Sequence, residues 1–107
     1  RHDKDFLKTR EAANMLVIIK SALDTTEGKR AIKLANNMSA NICLMQSAVY
    51  FSQRERLKGF SGTVYVIDED RKLRGLKDEE IVPEIKKIDY DGLVELMAEK
   101  KKVIGIF

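Results

Sequence analysis

The sequence predicts an α/β domain of three α/β/α layers around a mostly parallel, five-stranded sheet. Two observations carry that expectation. The apolar runs Leu16-Val17-Ile18-Ile19 and Ile42-Cys43-Leu44-Met45 are continuous rather than alternating. A strand that is apolar on both sides is buried on both faces, as the strands of parallel sheets are. Between the runs lie segments with helical spacing, and alternation of strand and helix is the pattern of a parallel sheet with right-handed crossovers. A length of 107 residues, 44% of them apolar, leaves room for one such core.

The elements follow in order. Residues 1–14 (RHDKDFLKTREAAN) have only a thin apolar stripe at Phe6 and Leu7, and are read as an N-terminal extension to a domain over 15–107. MLVIIKS (15–21) is the first strand. DTTEGKRAIKLANNM (24–38) is a helix with Ala31, Ile32, Leu34 and Ala35 inward; Asp24 or Thr25 caps it, and Glu27 stands three after Asp24 as in a capping box. SANICLMQ (39–46) is the second strand and SAVYFSQRERLKGF (47–60) a second helix. GTVYVIDED (62–70) is a β-branched and aromatic strand. Asp70–Leu76 reads as a short helix closed by Gly75. Pro83 keeps a regular interior strand out of DEEIVPEIKKID, which leaves Ile85–Ile88 as a short strand toward an edge. Tyr90, Leu93, Val94 and Met97 fall at i, i+3, i+4 and i+7, which predicts a helix with those four residues buried. Lys102–Phe107 is the last strand, with Phe107 capping the core or reaching a neighbouring subunit.

Inventory excludes several chemistries. Twenty basic residues against 17 acidic ones leave a net charge of +3, with signs well mixed, so neither direct nucleic-acid binding nor a membrane partner is expected. One cysteine and one histidine cannot supply an internal disulfide or a protein-only zinc site, and a reducing cytoplasm is the expected setting. The single histidine, His2, lies in the extension, so no Ser–His–Asp hydrolase is expected.

Ligands of open α/β sheets sit beyond the carboxyl ends of the strands. Asp24, Thr25, Thr26 and Lys29 lie there, at a helix N-terminus, and form a weak candidate anion site. DTTEGK has one glycine and a leading acid, so it matches no Walker or dinucleotide pattern. Asp68, Glu69 and Asp70 are acidic enough to attract Mg²⁺, yet Arg71, Lys72 and Arg74 follow at once, and no metal is expected. Cys43 sits mid-strand among apolar residues, where a thiol is a core group rather than a nucleophile.

Five pieces stand in a specific order: MLVIIKS, LMQSAVY (44–50), VYVIDEDRKLRGL (64–76), DEEIVPEI, and IDYDGLVEL (88–96) before a short strand ending in an aromatic. In that order they resemble the DsrH/TusB family of sulfur-relay subunits, within the DsrE/DsrF-like superfamily, over about residues 15–107. The resemblance implies a subunit that joins DsrE/TusD-like and DsrF/TusC-like partners in a heterohexamer of two heterotrimers. Such complexes pass persulfide sulfur for 2-thiolation of the tRNA wobble uridine or in dissimilatory sulfur oxidation.

The sequence departs from the sulfur-carrying pattern. Val66-Ile67-Asp68 has no thiol where the sister subunit carries its cysteine. Ala31 stands where some members have one, and Ser47-Ala48 replaces an Asp-Gly or Asn-Gly pair. The expectation is therefore a non-catalytic subunit of a cytoplasmic relay complex without cofactor, Tyr50, Asp68, Tyr90 and Phe107 being the interface candidates. It would be capable of homo-oligomerising when partners are absent. A direct persulfide carrier using Cys43 and a small phosphate- or nucleotide-binding module using Asp24–Lys29 are the alternatives.

Overall fold

The apolar runs become strands. β1 spans Met15–Ile19, β2 Asn41–Leu44, β3 Val64–Ile67 and β5 Lys102–Ile106, while β4, Lys86–Ile88, is the short strand after Pro83. The helices are α1 (Thr26–Met38), α2 (Asp68–Leu73) and α3 (Tyr90–Glu99), with 3-10 turns at Gln46–Ser52 and Asp78–Glu80. This computed structural model describes residues 15–22, 24–38, 40–53, 60, 62–99 and 102–106. The expected extension over 1–14 and the expected role of Phe107 lie outside the described residues.

The result is the expected mixed α/β fold on a parallel sheet. The strand order is β4-β3-β2-β1-β5, and every pairing is parallel. Chain order runs outward from β1 to β4, then returns across the sheet to place β5 on the other side of β1. β4 is at an edge, as Pro83 requires. Because successive strand residues point to opposite faces, the central strands feed two cores. Val17, Ile19, Ile42, Leu44 and Val66 pack with Ala31 and Ala35 of α1, with Val49 and Phe51, and with Leu76, Ile81 and Ile85 of the β3–β4 connection. Leu16, Ile18, Cys43 and Ile67 face the other way and meet Leu93 and Leu96 of α3.

Several expectations are corrected. The segment 47–60 does not open as an α-helix: Gln46–Ser52 is a 3-10 helix, and Gln53 bridges antiparallel to Ile81 while the Val82 N–H donates to the Ser52 carbonyl at 3.0 Å. That cross-link captures backbone groups which a continuing helix would have used. β3 stops at Ile67 and α2 starts at Asp68 rather than Asp70, since three acids in a first turn suit a helix N-terminus. Gly75 closes it with φ +73, a left-handed conformation that glycine adopts without strain.

The buried face of α3 is also different. Leu93 and Leu96 are buried, whereas Tyr90, Val94 and Met97 are 38%, 65% and 37% exposed. Apolar residues occupy both sides of this helix, so spacing alone admits two faces, and contact with the sheet selects one. On α1, Gly28, Ala31 and Ala35 are buried, while Leu34 is only half-buried.

Candidate functional site

The carboxyl ends of β2, β3 and β4 converge on one corner. Past β2 the chain turns sharply at Gln46, whose φ of 50 places a non-glycine residue in the left-handed region. Such a residue costs on the order of 1 kcal/mol and persists only where its surroundings hold it. Asp70 is what holds it: the Gln46 N–H donates to Asp70 Oδ2 at 2.6 Å. The same carboxylate, only 4% exposed, accepts the Tyr90 hydroxyl at 2.6 and 2.7 Å on its two oxygens. Three elements therefore meet on one buried charge.

Tyr90 is placed by its own helix start. Asp89 caps α3, its Oδ1 accepting the Gly92 N–H at 2.6 Å, and Glu69 Oε1 accepts the Tyr90 N–H at 3.2 Å. The hydrogen bond to Asp70, with burial secondary, pushes the phenol pKa up to about 12. At neutral pH Tyr90 is thus a fixed proton donor to Asp70.

Two further groups of charges are paired. Asp68 pairs with Arg71 at 2.5 Å and Lys72 at 3.2 Å. Burial alone would raise the Asp68 carboxyl, but hydrogen bonds from Arg71 and Lys72, reinforced by their charges, hold it below its usual value. The Arg71 guanidinium, itself buried, also donates to the Leu76 carbonyl at 2.9 Å and so fixes the chain after α2. Beside this pair lies an open cleft of about 430 Å³ lined by Asp68, Arg71, Asp78, Lys87, Ile88 and Asp89, with Lys87 and Asp78 forming a second ion pair across it. Tyr50, half-buried, directs its hydroxyl at the Arg74 carbonyl at 3.5 Å.

Cys43 lies behind the corner with no exposed surface. Burial first, and the charge of Asp70 second, push its pKa up to about 12. The group is a neutral thiol at physiological pH, and a thiol is a poor nucleophile and a poor sulfur acceptor. Among the described residues no cluster of His, Cys, Asp and Glu has the geometry of a metal site.

At the start of α1, Thr25 is the cap rather than Asp24. Its Oγ1 accepts the Gly28 N–H at 3.1 Å and donates to the Ala22 carbonyl at 2.6 Å, so that hydroxyl is already committed within the chain. A Cβ on Gly28 would approach the Ala22 carbonyl oxygen to 2.4 Å, so close packing accounts for the glycine of DTTEGK. Asp24, Thr26 and Lys29 are, respectively, exposed neighbours of this cap.

The sequence offered Asp68 and Tyr90 as interface candidates, although helical spacing placed Tyr90 on the buried face of its helix. It did not reveal the Asp70–Tyr90–Gln46 junction, whose partners are 20 and 24 positions from Asp70 in the chain. The one available signal was the third acid of Asp68-Glu69-Asp70, which falls on the inner side of a helix beginning at Asp68.

A parallel sheet with helices between its strands and a polar corner at its carboxyl edge defines a small α/β domain. The DsrH family, described as DsrH like protein, matches residues 20–103, and the chain belongs to that family. Two solved structures are similar in fold. The ychN protein from E. coli has a TM-score of 0.73 at 15% identity, over 89% of this chain and 99% of that one. Protein Tm0979 from Thermotoga maritima has a TM-score of 0.61 at 27% identity, over 85% and 99%. No curated protein matches the sequence. Among the described residues no helix is long and apolar enough to cross a membrane.

Proposed function

We propose that the protein is a non-catalytic subunit of a cytoplasmic sulfur-relay complex and acts through its surface. Its partners would be DsrE/TusD-like and DsrF/TusC-like chains, and the pathway either 2-thiolation of the tRNA wobble uridine or dissimilatory sulfur oxidation. Membership of the DsrH family supports the relay. The observation that carries the non-catalytic role is the sealed, neutral thiol of Cys43. A sulfur carrier needs an accessible thiolate, and Cys43 is neither accessible nor ionised. The reading includes a three-layer arrangement, with α1 on one face of the sheet and α3 on the other, which leaves both helices outward for contacts.

The test is sulfur loading. The folded protein is treated with a persulfide donor and weighed intact, beside a sample unfolded in urea. The expected result is no added sulfur on the folded chain and ready thiol modification of the unfolded one. A stoichiometric one-sulfur adduct on the folded chain, lost in Cys43→Ser, would overturn the proposal in favour of direct carriage. Stabilisation of the fold by nucleotides or inorganic phosphate, lost in Lys29→Ala, would instead favour the binding-module alternative.

A further inference from the structure

Of the large apolar side chains that the described residues leave exposed, three share one helix: Tyr90, Val94 and Met97 of α3. They stand at i, i+4 and i+7, so they form one stripe along the helix, next to the face that buries Leu93 and Leu96. Ala98, also exposed, widens the stripe beside Val94. An exposed apolar stripe along one helix is a candidate contact surface. One of its members is already fixed. The Tyr90 hydroxyl is held by Asp70 at 2.6 Å, so its ring is a rigid aromatic anchor with little rotamer freedom left to lose on binding.

Charge selects the occupant. The charged residues of α3 are Asp91, Glu95 and Glu99, all acidic and exposed, in a chain whose net charge is +3. Asp91 and Glu95 lie along the outer side of the stripe, within a turn of Val94. A two-fold contact of this face with its own copy would set Asp91 and Glu95 against the same acids, and like charges held close oppose association. The basic surface of α1, with Lys29, Arg30 and Lys33 exposed, has the complementary sign. However, α1 and α3 pack on opposite faces of the sheet, so pairing them between copies is a head-to-tail contact, which makes a closed assembly only where its rotation completes a ring.

We infer that the Tyr90–Val94–Met97 face of α3 is a docking surface for a different protein chain, one presenting an apolar recess bordered by lysine or arginine. The acidic edge steers the encounter and opposes two-fold self-pairing, while the apolar stripe fills the recess. This inference rests on the relay reading for the choice of probe, because the other subunits of the complex are then the chains to try.

The experiment measures binding of the full chain to purified DsrE- and DsrF-like subunits from the same source, at low and at raised salt. The expected result is a complex that weakens as salt rises. Val94→Glu should weaken it at least about tenfold, since a charge replaces a central apolar contact. Glu95→Lys should weaken it less and flatten the salt dependence. Val94 and Glu95 are both exposed, so both variants should keep the wild-type circular dichroism and melting midpoint. A complex that forms equally with both variants would overturn the docking face and leave the relay reading standing. No complex with the wild type would overturn both. Self-association of the isolated chain, abolished by Val94→Glu, would show the occupant to be a second copy and overturn the inference of a different chain.

Discussion

The two faces of the sheet are covered in different ways. On the side of Val17, Ile19 and Leu44, cover comes from α1, the 3-10 helix and the long β3–β4 connection, and most of the apolar side chains there are buried. On the side of Leu16, Ile18 and Cys43, the buried cover among the described residues is Leu93 and Leu96 of one helix. The first face was closed by several short pieces, each contributing one or two residues. Among the described residues the second is covered by a single rod, which can touch the sheet along only one line. A helix with apolar residues on more than one side then leaves the surplus outside, and α3 does so with Tyr90, Val94 and Met97. Completeness of burial is therefore set by how many elements cover a face as well as by how apolar the sequence is.

The largest effect should separate the two faces. Leu44→Ala, at a fully buried site on the first face, should cost about 3–5 kcal/mol in urea unfolding, and Leu96→Ala, at the edge of the second, about 2–3 kcal/mol. Equal losses would mean that the second face is as tightly packed as the first. Next in size is the junction joining the faces. Asp70→Ala removes the acceptor of both the Tyr90 hydroxyl and the Gln46 N–H and should cost about 2–3 kcal/mol. Tyr90→Phe should cost about 1–2 kcal/mol, and a double-mutant cycle should show the two changes to be non-additive. Additivity would show that the phenol and the carboxylate act separately.

A smaller effect appears at alkaline pH. Cys43 and Tyr90 both have pKa values raised to about 12, from ordinary values of 9.0 and 10.0. Above those ordinary values the unfolded chain releases protons that the folded chain keeps, so the stability from these groups, complete below about pH 9, is lost as pH rises toward 12. The urea midpoint should fall across that window, and Cys43→Ala should remove the earlier part of the fall. A fall unchanged in Cys43→Ala would assign it to other groups. The smallest effect is at Gln46, where Gln46→Gly relieves the left-handed backbone but frees the unfolded chain, for a net gain of no more than about 1 kcal/mol by thermal melting. A clear loss would mean that the Gln46 side chain does something its backbone does not.

The order of elements was legible because continuous apolar runs and Pro83 are local signals. β4 at an edge and Gly75 closing α2 were likewise readable from single residues. The face of α3 was not legible: Tyr90, Leu93, Val94, Leu96 and Met97 satisfy two helical stripes, and only packing on the sheet chooses between them. The opening of the expected helix over 47–60 was not legible either, since Gln46–Ser52 is a 3-10 helix and Gln53 pairs with the distant Ile81. At the candidate corner, Asp68 pairs with near neighbours in sequence, and such pairs are readable. Asp70 looked like one more solvated acid, because its partners come from two other strands' ends and no local pattern encodes them.

The strand order also bears on how the chain assembles. β1 through β4 can be laid down successively, each beside the one before, but β1 has its other edge filled by β5, where Met15 pairs with Lys102. That pairing joins the most distant parts of the sheet in sequence, and closing so long a loop is slow compared with pairing neighbours. A growing chain would therefore hold one flank of its most buried strand unpaired until the last element arrives. During that interval the apolar edge of β1 is the part of the molecule most in need of protection from other chains.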